Sequence, residues 1–173
     1  GYVTHHDCSR HDTGWRHPEH QGRLPAVARA VHRDMLTLFD HLLEIEGAPA
    51  TPEELAVAHS AGYIDRVRRR SREADARGEV LPLEEDVVVS GASWEAALAA
   101  AGCVSTAVER VMRGEVKNAF CAVRPPGHGA AREHGGAFGI FNGVAAATLQ
   151  LLRSGGAESV WVVDCGARPG VGT

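Results

Sequence analysis

Two stretches of the sequence carry side chains suited to proton transfer. In "RPPGHGA" (124–130), a Pro-Gly turn delivers His128. In "WVVDCGARPGVGT" (161–173), an apolar run ends at Asp164 and passes into a glycine-rich loop. A carboxylate that accepts the Nδ1–H of an imidazole fixes its tautomer and makes the other nitrogen a better base. His128 and Asp164 are therefore the candidate catalytic pair. The residues alone leave the bland alternatives open: a solvated or structural histidine, and an aspartate that only caps its own loop. The glycines of 166–172 match neither the Walker pattern nor the dinucleotide fingerprint, which argues against a phosphate loop. The first twenty residues hold His5, His6, Cys8, His11, His17 and His20. That density could bind metal. Without ligand spacing on a predicted element, adventitious binding is expected rather than a built site.

These residues need elements to position them. "NAFCAV" (118–123) and "SVWVVD" (159–164) read as short strands buried on both faces, as in a parallel sheet. A loop over 124–141 and a helix over 142–153 lie between them. Strand, loop, helix and strand form a βαβ unit, so the expected class is α/β. His128 and Asp164 then sit at strand carboxyl ends, where open α/β sheets place their ligand sites.

Upstream, a helix is expected to start near Leu24 with Pro25 in its first turn. Leu24, Val27, Val31, Leu38 and Leu42 recur at helical spacing, and Gly47 and the Pro49 region are expected to end it. "TPEE" (51–54) reads as a capping box before a short helix. A helix from about Ser60 to Gly78 follows. "LPLEEDVVVSGAS" (81–93) reads as an extended connection, and Ser93 as the cap of a helix over 94–113 stopped by Gly114. That helix carries an apolar stripe of Ala97, Ala101, Val104, Val108 and Val111.

Composition sets outer limits. With 173 residues, 44% hydrophobic and 23% charged, the chain can bury one real core. A net charge of −4 gives no reason to expect nucleic-acid or anionic-membrane binding. The basic run "RVRRRSR" (66–72) reads as a solvated helix face. No apolar run approaches a membrane span, and the opening residues lack a signal-peptide apolar region. Cys8, Cys103, Cys121 and Cys165 are scattered without a Cys-x-x-Cys pair. This fits reduced thiols and a cytoplasmic protein. Cys103 and Cys121, in apolar surroundings, are expected to pack in the core.

"NAFCAVRPPGHGAAREHGGAFGIFNGVAAA" (118–147) resembles the zinc-dependent histone deacetylase family, particularly bacterial class II-like deacetylases and acetylpolyamine amidohydrolases. "HDTGWRHPEHQGRL" (11–24) resembles its entry motif, with His17, Pro18, Glu19 and Arg23 in place. "AHSAGYI" (58–64) resembles its next block, and "SWEAALAAAGCVSTAVERVMRGE" its long central helix. The resemblance implies an arginase/deacetylase-like parallel sheet flanked by helices. It implies a Zn²⁺ that activates water against the amide of an acetyl-lysine or acetyl-amine, and two adjacent histidines that move protons.

Carried over residue by residue, the resemblance is incomplete. His128 matches the first histidine of the pair, and Asp164 the acid behind it. Gly129 stands where the second histidine belongs. Phe138 matches an aromatic of the substrate tunnel, with Ala137 and Gly139 replacing its usual neighbours, and Asn142 is kept at the following helix cap. Gly166 and Arg168 stand at two zinc-ligand positions, while Gly170, Gly172 and Thr173 match the end of the motif. A glycine offers no side-chain oxygen, and a guanidinium offers five donors and no acceptor. Cys165 alternates to the opposite face of an extended chain from Asp164 and Gly166 and is not expected to compensate. The family domain is also longer, with a third zinc-ligand aspartate and an oxyanion-stabilising tyrosine in its second half. The expectation is one partial domain over 1–173, truncated, holding no metal and inactive alone. Two alternatives stand beside it: a deacetylase completed by a partner chain, and a metal-free module that binds an acyl-amine or peptide. An uncovered sheet would favour homo- or hetero-association.

Overall fold

The computed structural model describes residues 1–34, 37, 40–166 and 169–173. The elements, in chain order, are strand β1 (Tyr2–Thr4), a 3₁₀ turn (His6–Ser9), helix α1 (Arg23–Arg33), β2 (Glu44–Glu46), α2 (Pro52–Leu55), α3 (Ala61–Arg77), β3 (Leu81–Pro82), β4 (Val88–Val89), α4 (Ser93–Met112), β5 (Phe120–Cys121) and α5 (Gly143–Arg153). The class is α/β, as expected. Three strands form a parallel sheet in the order β2–β1–β5, and β3 and β4 pair as a small antiparallel ribbon. Val3, fully buried, lies opposite Ile45 on one side and Cys121 on the other.

Local chemistry sets the helix ends. Thr51 Oγ1 accepts from the Glu54 amide, and the Glu54 carboxylate accepts from the Thr51 amide, so the expected capping box is formed. Ser60 caps α3, and Gly78, left-handed at φ 63°, closes it. Helix α4 is the hub. Its Ala96, Ala97, Ala99, Ala100, Ala101, Cys103 and Ala107 are all buried. Such small side chains let α5, the 3₁₀ turn and β1 approach it closely. Cys103 and the half-buried Cys121 pack beside Val3 and Ile45, as expected. On α3, Arg66, Arg68 and Arg70 pair with Glu84, Asp65 and Glu73 at 2.5, 2.6 and 2.7 Å, consistent with a solvated face. Among the described residues, no helix is long and apolar enough to cross a membrane.

Several expectations are corrected. Residues 159–164 form no ladder, and Trp161 and Val163 are 91% and 82% exposed. An apolar run records what a strand would bury, and among the described residues no strand pairs with it. The βαβ unit therefore lacks its second strand, and the sheet is built from β1 and β2 instead. Within 118–123 only Phe120–Cys121 is strand, and Phe120 is exposed rather than buried on both faces. Helix α1 ends at Arg33, well short of Gly47, because β2 intervenes. Leu42 lies outside the helix, and Leu38 lies outside the described residues. Ala92, not Ser93, occupies the N-cap position of α4, with no side-chain capping bond. The Ser93 hydroxyl instead accepts from the Ser90 amide and meets His11 Nδ1 at 2.7 Å.

Candidate functional site

The site begins with an anchor where β5 ends. Arg124 is 1% exposed, and a buried guanidinium must have its donors answered. Its Nε donates to Glu19 Oε1 at 2.8 Å, Nη1 to the His11 carbonyl at 2.7 Å and Nη2 to the Glu19 carbonyl at 2.6 Å. Arg23 Nη1 reaches the other Glu19 oxygen at 2.5 Å. The "HPE" and "RPPG" stretches, more than a hundred residues apart, are thereby fastened together. Nothing in the local pattern signals this pairing. The available clue is chemical: an arginine next to a buried strand needs a carboxylate, and Glu19 is close to the motif histidine.

From this anchor the chain turns through Pro125, Pro126 and Gly127, with a cis peptide bond between Arg124 and Pro125, and presents His128. His128 Nδ1 lies 2.7 Å from Asp164 Oδ2. The two candidate residues, 36 apart in sequence, form the expected pair. The carboxylate takes Nδ1–H, so the neutral ring keeps its lone pair on Nε2, the nitrogen able to accept a proton. Asp164 Oδ1 accepts from the Gly166 amide at 3.1 Å. These two bonds, the imidazole's first, hold the Asp164 carboxyl below the usual carboxylate range. The chain beyond Asp164 is tied back by the Gly172 amide, which donates to the His128 carbonyl at 3.0 Å. A Cβ on Gly172 would run into the Ala130 carbonyl, so this approach requires glycine.

Phe138 sits on the same side. Its ring meets the edge of His17 at a centroid distance of 4.8 Å. Ala137 and Phe138 both have left-handed backbones, at φ 49° and 66°. Neither is glycine, so the turn carries strain. It closes over Gly129: a Cβ there would meet Ala137 Cβ at 2.5 Å and collide with the Gly136 carbonyl. The space needed by a second histidine is occupied by the turn itself. Phe138, Ala137, His128, Pro126, Val123 and Arg23 help line a cavity of about 510 Å³.

The zinc implied by the sequence resemblance does not fit these residues. At the ligand position the resemblance assigns, Gly166 has no side-chain oxygen, and its backbone N–H donates to Asp164 Oδ1. Arg168 lies outside the described residues. Cys165 is exposed and free of any disulfide. Among the described residues, the His/Cys/Asp/Glu donors that converge within 4.8 Å belong to His5, His6 and Asp7, away from Asp164. Two members of that group are engaged internally, while His6 is exposed. His5 Nδ1 accepts from the Asp7 amide at 3.2 Å, and Asp7 binds Arg10 at 2.8 Å. Cys8 is buried, and His11 is buried against Ser93. The His20 ring lies tilted against Trp15, with centroids 5.6 Å apart.

A family profile described as "Histone deacetylase domain" matches residues 17–173. Histone deacetylase 8 of Arabidopsis thaliana is 31% identical over 172 residues, covering 99% of this chain and 44% of that protein. The histone deacetylase-like amidohydrolase of Pseudomonas aeruginosa is 33% identical over 156 residues, covering 90% of this chain and 38% of the relative. The solved HDA15 HD domain superposes with a TM-score of 0.79 at 28% identity, over 90% of this chain and 43% of that one. The chain thus spans less than half the length of these relatives.

Proposed function

Because the chain belongs to the histone deacetylase family, with its arginase/deacetylase-type fold, we propose that residues 1–173 are a partial deacetylase domain that holds no catalytic zinc and hydrolyses no acetyl-lysine or acetyl-amine alone. One observation carries this reading: where the family places a carboxylate ligand, Gly166 turns its amide N–H onto Asp164. A Lewis acid with three protein ligands and one open position has nothing to replace that oxygen. What the chain retains is His128, oriented by Asp164 to keep Nε2 basic, beside the aromatic Phe138. A positioned base without an electrophile on the carbonyl leaves most of an amide's barrier in place. The purified chain, supplied with zinc and offered an acetyl-lysine peptide and an N-acetylated polyamine, should show no turnover above buffer. Chelator-sensitive turnover that disappears in His128→Ala would overturn the proposal.

A second reading rests on the cavity of about 510 Å³ beside His128 and Phe138. It is large enough for an extended acyl-amine and needs no metal to exist. In this reading the domain binds an acylated amine or peptide without cleaving it. Calorimetry with acetyl-lysine and unmodified lysine peptides tests this. Preferential binding of the acetylated peptide, weakened by Phe138→Ala, supports it, and equal flat traces reject it.

A further inference from the structure

His59 belongs to the "AHSAGYI" stretch, is 1% exposed, and touches neither His128 nor Asp164 through any bond of its own. Its ring nevertheless grips both limbs of the loop that carries His128 and Phe138. On the outgoing limb, Nδ1 donates to the Ala131 carbonyl at 2.9 Å. On the returning limb, Nε2 accepts from the Asn142 amide at 2.9 Å. A carbonyl can only accept and an amide N–H can only donate, so the ring must be neutral with its proton on Nδ1. The ring is wedged among Tyr63 and Phe141, with centroids 5.5 and 5.4 Å away. The Tyr63 hydroxyl donates to the Ile140 carbonyl at 2.8 Å, bracing the returning limb a second time.

The grip reaches the proton-handling pair through Asn142. Besides capping α5, Asn142 donates from Nδ2 to the Ala130 carbonyl at 3.4 Å and to Thr173 Oγ1 at 3.0 Å. The Thr173 hydroxyl donates to the His128 carbonyl at 3.5 Å. Moving Asn142 therefore moves the tie between the chain after Asp164 and the backbone of His128. We propose that His59 is a positioning residue: its neutral Nδ1–H form locks the two limbs of loop 124–142 together and holds His128 in register with Asp164, and protonation of its Nε2 releases Asn142 and opens the loop. The functional meaning of that register rests on reading His128–Asp164 as the retained proton-handling pair.

The sign follows from the two bonds. A proton on Nε2 would face the Asn142 N–H donor to donor, so the closed loop excludes it while the open loop accepts it. The titratable and charged groups against the ring among the described residues are Arg132 and Tyr63; burial first, and the Arg132 charge with it, hold the His59 pKa below its ordinary value against the opposing hydrogen bond to Ala131. The loop is thus most secure above the ordinary histidine range and loosens as pH falls below it.

Hydrogen exchange, read by mass spectrometry on peptides covering 124–142 of the full chain and corrected for intrinsic rates, tests this from about pH 8 to about pH 4.5. Wild-type protection of the loop should fall roughly tenfold or more beyond any change shared with peptides of α4 across that range. His59→Gln can still accept from Asn142 but loses Ala131, and His59→Asn does the reverse. Each should expose the loop at high pH and flatten its pH profile. A residue that merely filled space would lower global stability without moving that profile. Flat wild-type protection, or folded variants that keep the wild-type profile, would overturn the proposal. If neither variant folds, the wild-type titration decides. Zinc content and turnover play no part in this readout, so its failure is separate from failure of the proposed function.

Discussion

Loop 124–142 and segment 159–173 meet through the His128–Asp164 pair and a few ties from Gly172 and Thr173, yet they are built in opposite ways. In the loop, Arg124, Ala130, Ile140, Phe141 and Asn142 are buried, and Glu19, His59 and Tyr63 reach in from elsewhere to answer its polar groups. Among the described residues, no buried side-chain nitrogen or oxygen lacks a partner. In the segment, Val160 through Val163 lie exposed, and the described chain is held by a few polar ties to His128 and Asn142. The difference separates two kinds of family residue. The loop's own ties, through Arg124, Glu19, His59 and Asn142, are formed, whereas glycine stands at 129 and 166, where the resemblance places a histidine and a ligand.

If that contrast is right, the largest effect of substitution should fall on the loop's anchor. Arg124→Ala leaves the Glu19 carboxylate buried without its main partner and should cost about 3–5 kcal/mol, read by urea unfolding. Acid should follow. His11 is buried against Ser93, and burial, with the Arg124 charge second, lowers its pKa from 6.5 to about 3. The native state resists a proton that the unfolded chain accepts. This contribution is complete above about pH 6.5 and is lost as pH falls toward 3, so thermal melts should move steadily downward over that interval. Gly129→His, which restores the missing histidine in name, should lose about 1–3 kcal/mol by overpacking the turn at Ala137 and should recover no zinc binding. Trp161→Ser should change stability by less than about 0.5 kcal/mol, because the ring is already in solvent. A large loss from Trp161→Ser would erase the contrast between the two regions.

What could be read from the sequence was mainly local. The Thr51–Glu54 box, the Ser60 and Gly78 ends of α3 and the Asn142 cap each depend on residues within a few positions of one another. The pairing of His128 with Asp164 came from placing both at strand ends and from family resemblance, and the structure puts them in contact. Strands β1 and β2 are three residues each, too short to display a period. The Arg124–Glu19 and His59 contacts span 105 and at least 72 positions, where no local spacing rule applies. Residues 159–164 were misread for the converse reason: their apolar character is real, but burial needs a neighbour.

The central claim concerns a metal site, and zinc content after purification tests it most directly. Elemental analysis should compare the chain with His6→Ala, which removes the exposed histidine of the N-terminal donor group, and with Asp164→Asn. The His6→Ala protein should carry no stoichiometric zinc. One zinc per chain that survives His6→Ala and is lost in Asp164→Asn would contradict it.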